Sequence, residues 1–383
     1  MRSKGSLTKG VFVALILTLI PITAFSAQKI TPGSTCKVKK QKITYQNKVF
    51  TCIKSGNKLV WNKGVSNSST TTPTPAPIAP TPAPVEIPIS IDNLDLKVVP
   101  LRAFENVRNE VKSRPKSKFS PTQIVSPLVP KERIEQELYG LNRAIDLWAP
   151  YFQPDKFQVI YAVGGDEDWL DTKSGELGLS SMLPPGQTWS MRMKLYTPCA
   201  FAMAGSGNNV PTFVQCLGRP YSGGNRQTGP HEYTHLFQQY YGGTNMYRIP
   251  WYTEGSASYF GWTLGFYTYN PDFSERENWL KSLYFNMDNE AKSDFKSKDM
   301  QRFKNRMKML IPSANQSIAN TSYWAGGLAT EALVALQGFD KFVEFTRNIQ
   351  TNSDMSLLLK QTYGFDEDYF YEKLAPYVWA QVP

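Results

Sequence analysis

Two histidines in 383 residues leave few kinds of acid–base chemistry open. Both stand in one pentapeptide, so a serine or cysteine nucleophile elsewhere has no histidine of its own, and Ser-His-Asp and Cys-His arrangements are excluded. Acidic side chains are missing from residues 1–64, which hold Arg2 and eleven lysines. That segment has 12 of the 42 basic residues, so the other 319 residues carry 30 basic against 32 acidic side chains, a net of −2. The charge of +10 therefore belongs to the N-terminal part, and the main body is excluded as a polyanion binder. No nucleic-acid partner is expected. Beyond the first 27 residues no apolar run approaches the roughly eighteen residues of a membrane span, which excludes a transmembrane segment in a mature chain. None of the four cysteines has zinc-finger spacing. With 41% hydrophobic and 13% aromatic residues, wholesale disorder is also excluded.

Residues 1–27 read as a signal peptide. Arg2, Lys4 and Lys9 make a positive start, Val11 to Ile20 is apolar but for Thr18, and Ala24-Phe25-Ser26-Ala27 offers small residues for cleavage. The mature protein is thus expected to be secreted or associated with the cell envelope. Four cysteines allow three pairings. Cys36 and Cys52 lie together near the N-terminus, Cys199 and Cys216 lie together far downstream, and a long linker separates the couples. The local pairings Cys36–Cys52 and Cys199–Cys216 are expected, as suits an oxidising compartment.

Residues 28–65 form a lysine-rich segment with short alternating strands at Ile43 to Tyr45, Lys48 to Ile53 and Lys58 to Trp61, a small basic β module stapled by one disulfide. It resembles a small Cys-Lys-Trp module that recurs at the start of secreted actinobacterial proteins. Its lysines suit an anionic cell-wall polymer. Residues 66–89 run from Ser/Thr to Pro/Ala, a composition that buries no core and makes a semi-rigid linker. The main domain spans 90–383. A helix is expected over Lys131 to Leu147 and a strand over Phe157 to Val163. Met191 to Leu195, Phe201 to Met203 and Thr212 to Leu217 are further strand candidates, with Gly205 to Asn209 as a hairpin or rim loop. From Pro230 onward the pattern is helical, so the fold class is α+β, mixed first and all-helical afterward.

The two histidines stand in His231-Glu232-Tyr233-Thr234-His235, an H-E-x-x-H. Thr228-Gly229-Pro230 can open a helix there, Thr as a cap and Pro in the first turn, and Gly242-Gly243 can end it. A spacing of four puts both imidazoles on one helix face, where they can share one metal ion. Glu232 then lies beside that ion, placed to take a proton from a water held there. A hydrolytic zinc usually has three protein ligands and one open position. The candidate for the third is Glu254, separated from His235 by eighteen residues and at the start of a second helix. One Zn2+ is the expected cofactor.

Here the sequence resembles a family. H-E-x-x-H, eighteen residues, then a Glu preceded by Trp251 and followed by Gly255-x-Ala257-x-Tyr259, is similar to the signature of the gluzincin metallopeptidases, most of all their aminopeptidase-N branch. Ser322-Tyr323-Trp324-Ala325-Gly326 with Leu333-Val334, Gly338 and Phe342 is similar to a helix downstream in that branch. The resemblance implies a thermolysin-like catalytic domain, with a mixed-sheet subdomain, zinc-binding helices and an all-helical C-terminal part. It also implies that the Tyr323 hydroxyl donates to the oxyanion of the tetrahedral intermediate. The family's G-A-M-E-N edge strand corresponds best to Phe201-Ala202-Met203-Ala204-Gly205, so Ala202, Met203 and Ala204 are the implied substrate strand. Ala204 stands where the family has the Glu that holds a free amino group, which favours an endopeptidase over an aminopeptidase.

The expected function is that of an exported zinc peptidase acting on a peptide or protein substrate. The alternatives are a non-catalytic envelope-binding protein on a peptidase scaffold and a zinc hydrolase of a non-peptide amide. Asp166-Glu167-Asp168 with Asp171 reads as a solvated acidic turn rather than a calcium site. Tyr240, Tyr241, Tyr247, Trp251 and Tyr252 flank the motif as core or cleft aromatics.

Overall fold

The structure, a computed structural model, describes residues 31–45, 48–66, 89–195, 199, 201–218, 226–265, 274–313 and 315–383. The chain divides into two compact units, one within residues 1–84 and one within 85–383. The signal peptide expected over 1–27, residues 46 and 47 and most of the linker lie outside the described residues.

In the first unit β1 (Lys42–Tyr45), β2 (Lys48–Ser55) and β3 (Lys58–Trp61) form an antiparallel sheet, with β4 (Val65–Ser66) pairing β2. Cys52 pairs with Trp61 and Phe50 with Ile43, so alternate residues meet on one face and bury Phe50, Cys52 and Trp61. Cys36 is bonded to Cys52. Three buried side chains are a small core, and the disulfide compensates by constraining the unfolded chain. The lysines at 37, 39, 40, 42, 48, 54, 58 and 63 are all exposed.

The second unit is mixed α+β, opening with α1 (Val98–Ser113), β5 (Thr122–Val125), α2 (Lys131–Trp148) and β6 (Gln158–Ala162). Next come α3 (Glu167–Leu177), α4 (Trp189–Leu195), β7 (Phe201–Gly207) and β8 (Val210–Cys216). The sheet order is β5-β6-β8-β7, parallel except for β7, which runs antiparallel at the edge. Asn208 and Asn209, with φ of 48° and 63°, make the tight turn between β7 and β8. Cys199 is bonded to Cys216, tying the approach to β7 to the end of β8.

The remaining chain is helical: α5 (Thr228–Gly242), α6 (Tyr252–Gly265), α7 (Ser274–Asn286), α8 (Asn289–Ser297), α9 (Met300–Lys308) and α10 (Gln316–Thr321). A π-helical turn, Ser322–Gly326, leads into α11 (Gly327–Asn348), followed by α12 (Met355–Tyr363) and α13 (Glu367–Trp379). The core is built on Trp148 of α2, which stacks on Phe237 of α5 at 3.9 Å and meets Phe260 of α6 and Phe339 of α11 at 5.0 Å each. One indole thus fixes α5 and α6 against the same neighbours. Residues 98–125 belong to this body: α1 buries Val99, Ala103, Phe104 and Val107, and Asn106 Nδ2 donates to Val334 O at 2.9 Å.

Three local expectations differ from the fold. Met191 to Leu195 is not a strand but lies in α4. The apolar side chains at 189, 191, 193 and 195 alternate as in a strand, yet the helix buries only Trp189 and Met193, one turn apart, and leaves Met191 and Leu195 exposed. Thr228 does not cap α5 with its hydroxyl; it is the first helical residue, and the capping position falls to Gln227 without a side-chain bond. The acidic turn is also not solvated throughout. Asp166 is buried and accepts from Val163 N–H and from the Ser126 hydroxyl, so it closes the turn after β6.

Candidate metal centre

The spacing of four does on α5 what helical geometry requires. His231 Nε2 and His235 Nε2 lie 3.0 Å apart, and both are 3.6 Å from the same oxygen, Oε2, of Glu254 at the start of α6. A tetrahedral zinc with bonds of about 2.0–2.1 Å has donor–donor edges of about 3.3 Å. The three atoms therefore converge closely enough to hold one ion, with the fourth position left for a non-protein ligand. Among the described residues this is the group of His, Cys, Asp or Glu with that property.

Glu254 is delivered by a short, tightly built connection. α5 ends at Gly242 and is capped by Gly243, whose φ of 52° is a conformation glycine adopts at no steric cost, and a 3-10 turn over Gly243–Arg248 follows. Trp251 then takes a φ of 51° as a buried non-glycine residue. Its N–H bonds to Leu310 O and its indole donates to Tyr371 at 2.8 Å, contacts that hold the conformation three residues before the ligand. Glycines let the elements close in. A Cβ on Gly261 would lie 3.2 Å from that of His231, and one on Gly255 would lie 2.4 Å from the backbone of Gly326.

Gln238, which the spacing argument did not single out, orients the second histidine. Its Nε2 donates to Thr253 O at 2.9 Å and to Ser256 Oγ at 2.7 Å, so its Oε1 faces His235 Nδ1 at 2.7 Å. That oxygen can only accept, which puts the imidazole proton on Nδ1 and the lone pair on Nε2, toward the other two ligand atoms. The same side chain links α5 to the first turn of α6. Gln238→Ala is expected to lower metal affinity about 10- to 100-fold while the fold persists, measured by competition with a chromophoric chelator. The available signal was positional: Gln238 is three residues after His235 and seven after His231, on their side of the helix.

Charge matches this use. Burial works against the ionised form of Glu254, but His235 and the hydrogen bonds from both imidazoles hold it well below the usual carboxylate range. His235 shows the reciprocal effect: burial opposes its charge, and Glu254 overrides burial to push its pKa up to about 9. Metal and proton therefore compete for His235. Glu232 is buried, and burial raises its pKa, opposed by the two imidazoles and by a hydrogen bond from Ala204 N–H, with Glu254 adding to the rise.

That bond ties the general-base candidate to the edge strand. Ala204 N–H points away from β8 toward Glu232, so the backbone groups of Ala202, two residues along the same strand, face the same way. Ala202, Met203 and Ala204 line a cleft of about 530 Å³ together with His231, Glu232 and Tyr323. Tyr323 sits in the π-helical turn, its ring edge-on to His231 at 5.5 Å and 87°. An inserted residue of this kind re-aims a side chain out of the regular helical path. Among the flanking aromatics Tyr247 lines the cleft, Trp251 and Tyr252 are core, and Tyr240 is exposed. No family model, no curated protein and no solved structure matches this chain.

Proposed function

We propose that the protein is an exported zinc-dependent peptidase of the gluzincin type, cutting within chains rather than removing amino-terminal residues. The observation that carries the reading is the convergence of His231, His235 and one oxygen of Glu254 beside a buried Glu232 that is bonded to an edge strand. Zinc bound there supplies Lewis-acid polarisation of the substrate carbonyl and makes the attacking water more acidic.

The protein's own groups do the rest. An extended substrate pairs with the outward backbone groups of Ala202 and the carbonyl of Ala204, whose N–H is held by Glu232, as an added strand. Glu232 takes the proton from the attacking water and returns it to the leaving amine. A carboxylate whose proton affinity is raised by burial is suited to both transfers. The Tyr323 hydroxyl donates to the carbonyl oxygen as negative charge develops on it. Tyr323→Phe is expected to lower kcat about 10²- to 10³-fold with little change in KM, read from steady-state kinetics on one cleaved peptide. Ala204 brings no carboxylate to the place where an aminopeptidase would hold a free amine, which supports internal cleavage.

The test uses the purified chain with N-acetylated and free-amine versions of the same peptides. Cleavage of both alike, abolished by a chelator and restored by stoichiometric zinc, is the expected result. Activity that survives complete metal removal would sink the reading, and shortening of free-amine peptides alone would reverse the endopeptidase assignment.

The basic module is proposed to hold the protein to an anionic cell-wall polymer. Its eight exposed lysines, with no acidic residue in residues 31–66, support that. Retention on such a polymer should fall steeply as salt rises.

A further inference from the structure

One wall of the cleft carries amides that the mechanism does not use. Gln316 and Asn320 of α10 line it beside Tyr323 of the π-helical turn. Spaced by four and then three residues, these side chains follow one helix face. The π-helical turn meets α5 at His231 and β7 meets it at Glu232, so the two elements approach the site from directions about 100° apart around α5.

A chain of amides fixes Gln316. Asn320 Nδ2 donates to the backbone oxygen of Asn286 at 3.0 Å, and a carbonyl oxygen can only accept, so the buried Asn320 amide has one orientation. Its Oδ1 then accepts from Gln316 Nε2 at 3.0 Å, which sets the Gln316 amide in turn. That bond uses one of the two N–H groups on Nε2. Oε1 and the second N–H remain, on a side chain that is exposed where it lines the cleft. An acceptor and a donor side by side match the N–H and C=O of a single peptide residue.

A bound substrate needs such a partner. A peptide added to β7 pairs along one edge and leaves the N–H and C=O groups of its other edge open. Gln316 lies seven residues before Tyr323, about 10 Å at 1.5 Å per residue, which an extended peptide covers in about three residues. We propose that Gln316 binds the backbone of a substrate residue about three positions from the cut bond, on the edge that β7 leaves open. Gln316 is the binding group and Asn320 a positioning residue. The inference rests on the peptidase reading and gives it a substrate class: chains that extend about three residues beyond the cut bond on one side, recognised there by backbone rather than by side chain.

The test lengthens one cleaved peptide residue by residue, on each side of the cut in turn. On one side kcat/KM should rise about 3- to 10-fold, mainly through KM, at the residue that reaches Gln316. Gln316→Ala should remove that step. N-methylation of the same peptide residue should remove it from the wild-type chain and cost the variant nothing further, so the two changes are not additive. Asn320→Ala, which leaves the Gln316 amide free to turn, should shrink the step through KM. A step of the same size in wild type and Gln316→Ala, or no step on either side, would overturn the proposal while leaving the peptidase reading intact. If no peptide is cleaved, the peptidase reading fails, and Kd values of the wild-type and Gln316→Ala chains for the same length series decide the subsite. A rise in affinity at one length that is absent from the variant supports it, and matching series remove it.

Discussion

Glu232→Gln should keep the metal and lose turnover, lowering kcat by about 10²- to 10⁴-fold, the range a positioned general base contributes. The amide has nearly the shape of the carboxylate, so the packing around α5 and the contact with Ala204 need little adjustment. What it lacks is the capacity to accept a proton from water. The residue is not a ligand atom in the His231, His235 and Glu254 group, so zinc stoichiometry should remain at the wild-type value. Metal analysis together with turnover numbers checks both halves. Loss of metal along with activity would move Glu232 from base to structural support.

His235→Ala has the opposite signature, with metal and activity lost together. It removes one of three convergent donor atoms, and Gln238 then has no imidazole to orient. Loss of a supporting partner alone costs roughly 10- to 100-fold in metal affinity, so loss of the ligand should exceed that range. The fold should survive, because the side chain is partly exposed at the cleft and the core contacts of α5 come from Phe237 and Tyr233 on its other face. Titration with a competing chelator gives the affinity, and circular dichroism reports the fold. Zinc retained at wild-type affinity would remove His235 from the ligand set.

The parts of this site legible in the sequence are those fixed by local geometry. His231 and His235 are one turn apart on a single helix, so their convergence follows from the helical period alone. Both disulfides were legible for a similar reason, each closing a short loop on one side of a long linker. Glu254 was within reach because a short connection between two helices leaves few places for its first turn. Gln238 sat unread in a run of apolar and polar residues, because its role depends on hydrogen bonds to Thr253 and Ser256 of the next helix. The π-helical turn at Tyr323 leaves no composition signal, since Ser322 to Gly326 is compatible with a regular helix. Met191 to Leu195 was misread because its alternation matches a strand, while burial follows the helical pair Trp189 and Met193.

The most direct measurement incubates the zinc-loaded chain with a mixture of unfolded proteins, with Glu232→Gln alongside, and maps every cut by mass spectrometry. Internal cuts made by the wild-type chain and missing from the variant are the predicted result. No cuts from the wild-type chain, or the same cuts from both proteins, would contradict the assignment of His231, His235, Glu254 and Glu232 to a peptidase centre.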